Sequence, residues 1–269
     1  MNKSLSLVLF FILTFVFSWL VWIPAALNSM GHLALPFSTM MLVIFGAHGP
    51  LLAALMLTYK EGRWDAVKTL LRAGFDLRLK LVWWLVILSL PIVLGGLAVW
   101  VSAQLNGFEF DRTLLSQPAM ILPVFFVLFF FGGSFQEEFG WRGFALPKLL
   151  ETYNPIIASL ILGVIWGVWH YPLFHVVESS QSFMRFELFL AFATAYSFVF
   201  TWIYLKTNKN LFAALLLHTA INTGFSIFPP VEKELGGDQS AFVFLVTLCI
   251  VAAVFLVLKD RTTWFETSA

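Results

Sequence analysis

Six polar residues, set in otherwise apolar stretches, have the types and spacing for hydrolytic chemistry: Glu137, Glu138 and Arg142, then His170, then His218 and Asn222. A buried carboxylate beside an imidazole suits general-base activation of a water, which gives Glu137 and His170 that role. An imidazole and an amide suit the donation of hydrogen bonds to the oxyanion formed when a carbonyl is attacked, which gives that role to His218 and Asn222. A second scheme uses the same residues. Glu137, His170 and His218 together make a ligand set for Zn²⁺ with an open water position. No His-Glu-x-x-His run is present to favour the commonest zinc-protease arrangement. The residue types leave both schemes open, one needing no cofactor and one needing a divalent metal.

Spacing assigns different tasks to the two acids. On a helix Glu138 and Arg142 are four apart, with the acid N-terminal to the base, the better orientation for a pair. Glu137 is rotated from Glu138 by about 100°, so it points elsewhere and stays available. His218 and Asn222 are also four apart and project from one face. The turn Tyr153-Asn154-Pro155 separates Glu137 from His170, each about sixteen residues from it, so an antiparallel hairpin places both at one level.

The elements that must hold these residues are membrane helices. Of the 269 residues, 60% are apolar and 12% charged, against roughly 25% charged in soluble domains. The 31 Phe and 11 Trp suit a lipid-facing surface with aromatic belts. Net charge is +1 without a long charged block, which argues against nucleic acid as a partner. Cys249 is the single cysteine, so it forms no internal disulfide and is read as a packing residue. The expected fold is an all-α polytopic membrane protein, one integral domain over 1–269, with about eight spans near 5–27, 37–59, 81–103, 118–150, 155–175, 187–205, 210–228 and 239–258. The first run follows Lys3 and carries Pro24-Ala25-Ala26, a pattern with some likeness to a signal peptide. Its full span length makes it a retained helix. No internal repeat is evident, which disfavours a transporter.

Thirteen of the 16 Lys and Arg fall on one side of this layout, among them Lys60, Arg63, Arg142, Lys148, Lys206 and Lys259, while Arg112, Arg185 and Lys233 fall on the other. Positive-inside bias then puts both termini in the cytoplasm of a multi-pass cell-membrane protein. Between Lys60 and Lys80, Trp64, Val67, Leu70, Leu71 and Phe75 recur at helical spacing among Arg63, Lys68 and Arg72. That predicts an amphipathic helix near 62–76, lying on the leaflet. His218 should lie about 12 Å inside from Asn210. It meets Glu137 and His170 only if the fourth and fifth helices protrude, with Arg142 and Lys148 at the headgroups. The expected site is shallow and opens to the cytoplasm. His48, in a Gly- and Pro-rich irregularity, is read as structural, and His32 and His175 receive no role.

The three clusters resemble the motifs of the CAAX-processing and bacteriocin-processing protease family, which includes the Ras-converting type of CAAX prenyl endopeptidase. The likeness lies in Glu137-Glu138-x-x-x-Arg142 with the following Gly143, the later His170, and His218-x-x-x-Asn222 after Asn210-Leu211. It covers 118–228, the motif-bearing core. Where the family usually has Phe four residues before the second-motif His, this chain has Trp166, from which altered packing is expected. The resemblance implies an intramembrane endopeptidase cutting a peptide or protein, lipid-modified or not, near the cytoplasmic face. Glu137 and His170 would activate water, and His218 and Asn222 would form the oxyanion site. Members have been described both as metalloproteases and as metal-independent glutamate-type proteases. The competing reading is a non-catalytic membrane scaffold or binding protein of the same fold.

Overall fold

The computed structural model describes residues 3–177, 179–234 and 236–265, and every regular element among them is helical. In chain order the α-helices are α1 (Lys3–Ser29), α2 (Thr39–Gly46), α3 (Gly49–Ala73), α4 (Leu81–Asn106), α5 (Thr113–Ser116), α6 (Ile121–Phe131), α7 (Ser134–Gly140), α8 (Leu146–Leu150), α9 (Pro155–Trp169), α10 (Phe186–Lys206), α11 (Leu211–Ile227), α12 (Ser240–Lys259) and α13 (Arg261–Phe265). All eight expected stretches are helical, but they are not eight plain spans. Among the described residues six helical segments are long and apolar enough to cross a membrane, and a seventh is reached if the bent pair Pro118–Phe131 and Ser134–Leu150 counts as one. The α11 helix, with 17 residues, is shorter.

The expected fourth span departs most from a straight helix. It bends by 44° between Phe131 and Ser134, where Gly133 takes φ +104°, open to glycine but strained for other residues. Side chains take over the backbone groups that the bend frees. Gln136 Oε1 accepts from the Gly133 amide at 3.2 Å, and its Nε2 donates to the Phe130 carbonyl at 2.7 Å. Past α7 the chain makes a π-turn over Trp141–Ala145 before resuming as α8. Such turns shift the register of the side chains that follow.

The amphipathic segment is the far part of α3, beyond a break at Gly62 and Arg63. Its apolar positions divide: Val67 is buried against the protein, whereas Trp64 and Phe75 remain exposed. The helix therefore docks on the bundle through Val67, with Leu70 and Leu71 packed beside it, and offers the bulky rings to the surroundings.

Charged connections gather at two ends. At the first, Lys148 Nζ meets Glu61 at 3.0 Å, Ser6 donates to Glu61, Lys206 pairs with Asp260, and Asn210 Nδ2 donates to the Asp76 carbonyl. At the second, the Val177 amide reaches Ser29 Oγ, and the Arg185 amide reaches Gln239 Oε1. The Lys- and Arg-rich connections thus share one end, as expected. The chain termini themselves, expected in the cytoplasm, include residues 1–2 and 266–269 and lie outside the described residues.

Small residues let the central helices approach closely. A side chain on Gly140 would place Cβ 2.5 Å from Pro50 Cβ, so α7 rests directly on the start of α3. Between α9 and α10, a Cβ on Gly163 would lie 2.7 Å from Thr194 Cα and 2.9 Å from Ser197 Cβ. Because one of those neighbours is backbone, it cannot rotate away. Gly163→Val should force the two helices apart and destabilise the fold by about 1–3 kcal/mol, read as a lower thermal midpoint of the purified protein in detergent.

Candidate active site

Glu138 is the hub of the site. Its side chain is fully buried, and Arg142 Nη1 donates to both of its oxygens, at 2.9 and 3.1 Å. The α11 helix joins the same carboxylate: His218 Nδ1 lies 2.7 Å from Glu138 Oε1. A carboxylate paired with a guanidinium accepts hydrogen bonds, so Nδ1 of His218 carries a proton and Nε2 is left for other work. Arg142, expected at the headgroups, is instead wholly buried. Its guanidinium lies 3.7 Å from the Phe200 ring centroid and 4.8 Å from that of Trp166. The acid one helical turn earlier, together with ring faces that attract cations, makes the interior tolerable for the charge. The expected balance of basic residues falls from thirteen at one end to twelve once Arg142 is removed from it.

Glu137 makes a different set of contacts. Its Oε2 accepts from Trp166 Nε1 at 2.7 Å, where both residues are buried. Its Oε1 faces Gly133: a Cβ built there would collide with that oxygen and lie 3.4 Å from His218 Nε2. Glu137 and His218 therefore border the same small space. His170 caps α9, and its Nδ1 lies 2.8 Å from the Trp166 carbonyl. A carbonyl only accepts, so this imidazole also carries its proton on Nδ1 and keeps Nε2 for the cavity. Trp169 and Phe189 pack edge-on to its ring at 4.7 and 5.0 Å. Asn222 donates through Nδ2 to the Gly132 carbonyl at 2.6 Å, and Thr219 Oγ1 donates to Ser134 Oγ at 3.0 Å. Through these two bonds α11 clamps the bend from both sides.

Glu137, His170, His218 and Asn222 line one cavity of about 790 Å³, and Glu138 and Arg142 stand behind it. The lining continues through Leu173 and Phe192 to Asp111, Gln181 and Lys233. Those last three lie on connections of the cation-poor end. The expected opening toward the Lys- and Arg-rich end is therefore corrected. The α9 helix ends at His170 after only 15 residues, and the space beyond it is bordered by the 3-10 turns Tyr171–His175 and Ser180–Phe183 and their connections. At that mouth the Thr113 hydroxyl and amide hold the Asp111 carboxyl below the usual carboxylate range, and the nearby charge of Lys233 adds to this. On one flank the cavity reaches Met40, Val127 and Phe131, each more than half exposed on the outer surface of α2 and α6.

A metal fits poorly. Among the described residues no three His, Cys, Asp or Glu side chains come together as a group able to hold an ion, the trio Glu137, His170 and His218 included.

Sequence reasoning missed three contributors: Trp166, read as a packing change; Gln136, not assigned; and the Gly132-Gly133 bend, read as continuous helix. The paired glycines directly before the acids were the available signal.

Comparison with known proteins gives the class first. Residues 119–224 match the family model described as Type II CAAX prenyl endopeptidase Rce1-like. The motif-bearing core is similar to that family, and the chain is a multi-pass membrane hydrolase, an intramembrane endopeptidase. Over 96% of its length the chain is also 26% identical to CAAX prenyl protease 2 of Methanococcus maripaludis, and the match takes in 95% of that protein. The resemblance carried by the three motifs is borne out.

The space over Gly133 generates a prediction. Gly133→Ala combines a φ of +104° with a methyl group driven into Glu137 Oε1, a strain of about 1–3 kcal/mol. Proteolytic activity should fall at least about tenfold, with the helix content by circular dichroism unchanged. By contrast, Glu138→Ala leaves the buried Arg142 unpaired, at a cost of about 3–5 kcal/mol. It should show itself as loss of folded protein on size-exclusion chromatography.

Proposed function

We propose that the cavity hydrolyses a peptide bond by water activation without a bound metal. Glu137, assisted by His170, takes the proton of the attacking water, and His218 with Asn222 meets the developing oxyanion. The observation that carries this reading is the shared space over Gly133, bordered by Glu137 Oε1 and His218 Nε2. A water there lies between a carboxylate that can accept its proton and an imidazole that can face the substrate carbonyl. To donate from Nε2, His218 has to carry both protons. The Glu138 carboxylate accepts from Nδ1 and so holds the ring with Nε2 toward the space over Gly133. Asn222 commits one N–H to Gly132 and retains a second.

The substrate is a peptide or protein segment that partitions into the bilayer. The largely apolar cavity lining and the exposed flank at Met40, Val127 and Phe131 support an apolar or lipid-modified chain. The name of the archaeal relative makes a prenylated carboxy-terminal tail one such substrate. The bond cleaved sits within the bundle, and the mouth of the cavity lies at the cation-poor end. By the positive-inside rule the opposite end faces the cytoplasm of the cell membrane.

Cleavage of matched prenylated and unprenylated reporter peptides by the purified protein tests the assignment. Glu137→Gln, His170→Ala and His218→Ala should each lower kcat/KM by about 10²–10⁴-fold, with folding intact. Equal cleavage by wild type and all three variants would remove these residues from the chemistry. In the same assay a strong chelator such as 1,10-phenanthroline should leave the rate unchanged, and inhibition that is reversed by Zn²⁺ would overturn the metal-free scheme.

A further inference from the structure

We propose that the Trp166 indole is the positioning residue that aims Glu137. Its N–H anchors one carboxylate oxygen so that the other is presented to the water between Glu137 and His218. This inference rests on Glu137 acting as the base. It adds a residue from the second motif that touches neither the water nor the substrate carbonyl.

A glutamate carboxylate rotates broadly about its last torsion, so a buried base needs something to fix which oxygen faces the reactant. The indole supplies that at 2.7 Å, through a donor that has no acceptor capacity of its own. Among the described residues it is the only side chain that donates a hydrogen bond to Glu137, while Arg142 gives its Nη1 to Glu138. A cation in its place would compete for the carboxylate as a salt-bridge partner, whereas a neutral N–H orients the group and leaves it able to accept a proton.

The ring is itself immobilised. His170, His218 and Phe200 meet it edge-on at centroid distances of 5.6, 5.7 and 5.9 Å, and the Arg142 guanidinium lies 4.8 Å from its centroid. It cannot swing away from Glu137 without disturbing both imidazoles. Trp166 also accepts the Nδ1 proton of His170, but through its carbonyl, a contact that any residue at this position would provide. The task specific to this chain therefore belongs to the indole N–H. Phenylalanine, the usual residue at this place in the motif, would keep an aromatic ring there and lose the anchor.

The test exchanges the donor while keeping the ring. Trp166 is replaced by 5-fluorotryptophan, which retains the N–H, and by 3-benzothienylalanine, in which sulfur takes its place. Trp166→Phe and Glu137→Gln are measured in parallel, all in the full-length protein, with thermal midpoints as the control for folding. The donor-lacking variants, benzothienylalanine and Phe, should lose about 10- to 100-fold in kcat with KM unchanged, the loss expected for one hydrogen bond to a charged group. The fluorinated variant should turn over like wild type. Equal rates for the fluorotryptophan and benzothienylalanine proteins would overturn the positioning role, as would a change confined to KM. If Glu137→Gln abolishes cleavage in that case, the catalytic reading still stands. If Glu137→Gln cleaves as wild type does, the reading of the base fails first and the positioning role fails with it.

Discussion

The fully buried pair between Glu138 and Arg142 is the constraint around which the site is built. Neither charge is tolerable alone inside an apolar bundle, and the desolvation that each suffers is offset only when the two meet in good geometry. Here both oxygens of one carboxylate face one guanidinium nitrogen, and His218 from a distant part of the chain takes the same carboxylate as its acceptor. The pair therefore does more than neutralise itself. It sets the orientation of an imidazole on another helix and leaves the neighbouring acid, Glu137, without a cationic partner in direct contact. Two adjacent glutamates acquire opposite tasks because only one of them lies on the face that Arg142 can reach.

That division depends on a deformed helix. A straight helix through 118–150 would carry the acids along one axis with no gap beside them. The Gly132-Gly133 bend opens that gap, and it is closed again on the backbone side by Gln136, Asn222 and Thr219. In hydrocarbon, backbone groups released by a bend must find partners within the protein. The polar residues around the acids therefore hold the bend, and in the proposed scheme Asn222 keeps a second N–H for the oxyanion. Downstream, the π-turn carries Arg142 while Gly140 lets the segment lie against Pro50 on α3. Substrate access follows from the same architecture. The α9 helix stops at His170, the short 3-10 turns and connections beyond it border the mouth, and on one flank the cavity reaches exposed side chains of α2 and α6.

Much of this was legible in the linear chain. Apolar runs of span length leave the backbone little choice but helix, so the helical stretches could be located from composition alone. The i,i+4 spacing of Glu138 and Arg142 foretold their pairing, since helical geometry fixes which neighbours share a face. The turn at Asn154-Pro155 likewise foretold that Glu137 and His170 lie at comparable depth. The sequence signal failed where two readings share one composition. Apolar residues on either side of Gly132-Gly133 look the same whether the helix is straight or bent. A tryptophan in an apolar helix looks the same whether its indole N–H meets a carboxylate or a backbone carbonyl.

What the sequence determined by itself is the solvent, the secondary structure and the local pairs, because burial in lipid and the 3.6-residue helical repeat act within a single stretch of chain. What only the tertiary structure decided is the set of long-range partners: His218 on Glu138, Trp166 on Glu137, and a cavity that runs to the cation-poor end. Those depend on how helices far apart in sequence rotate against one another. That rotation is set by close contacts such as Gly163 on Thr194 and by one bend at a glycine, neither of which leaves a periodic trace.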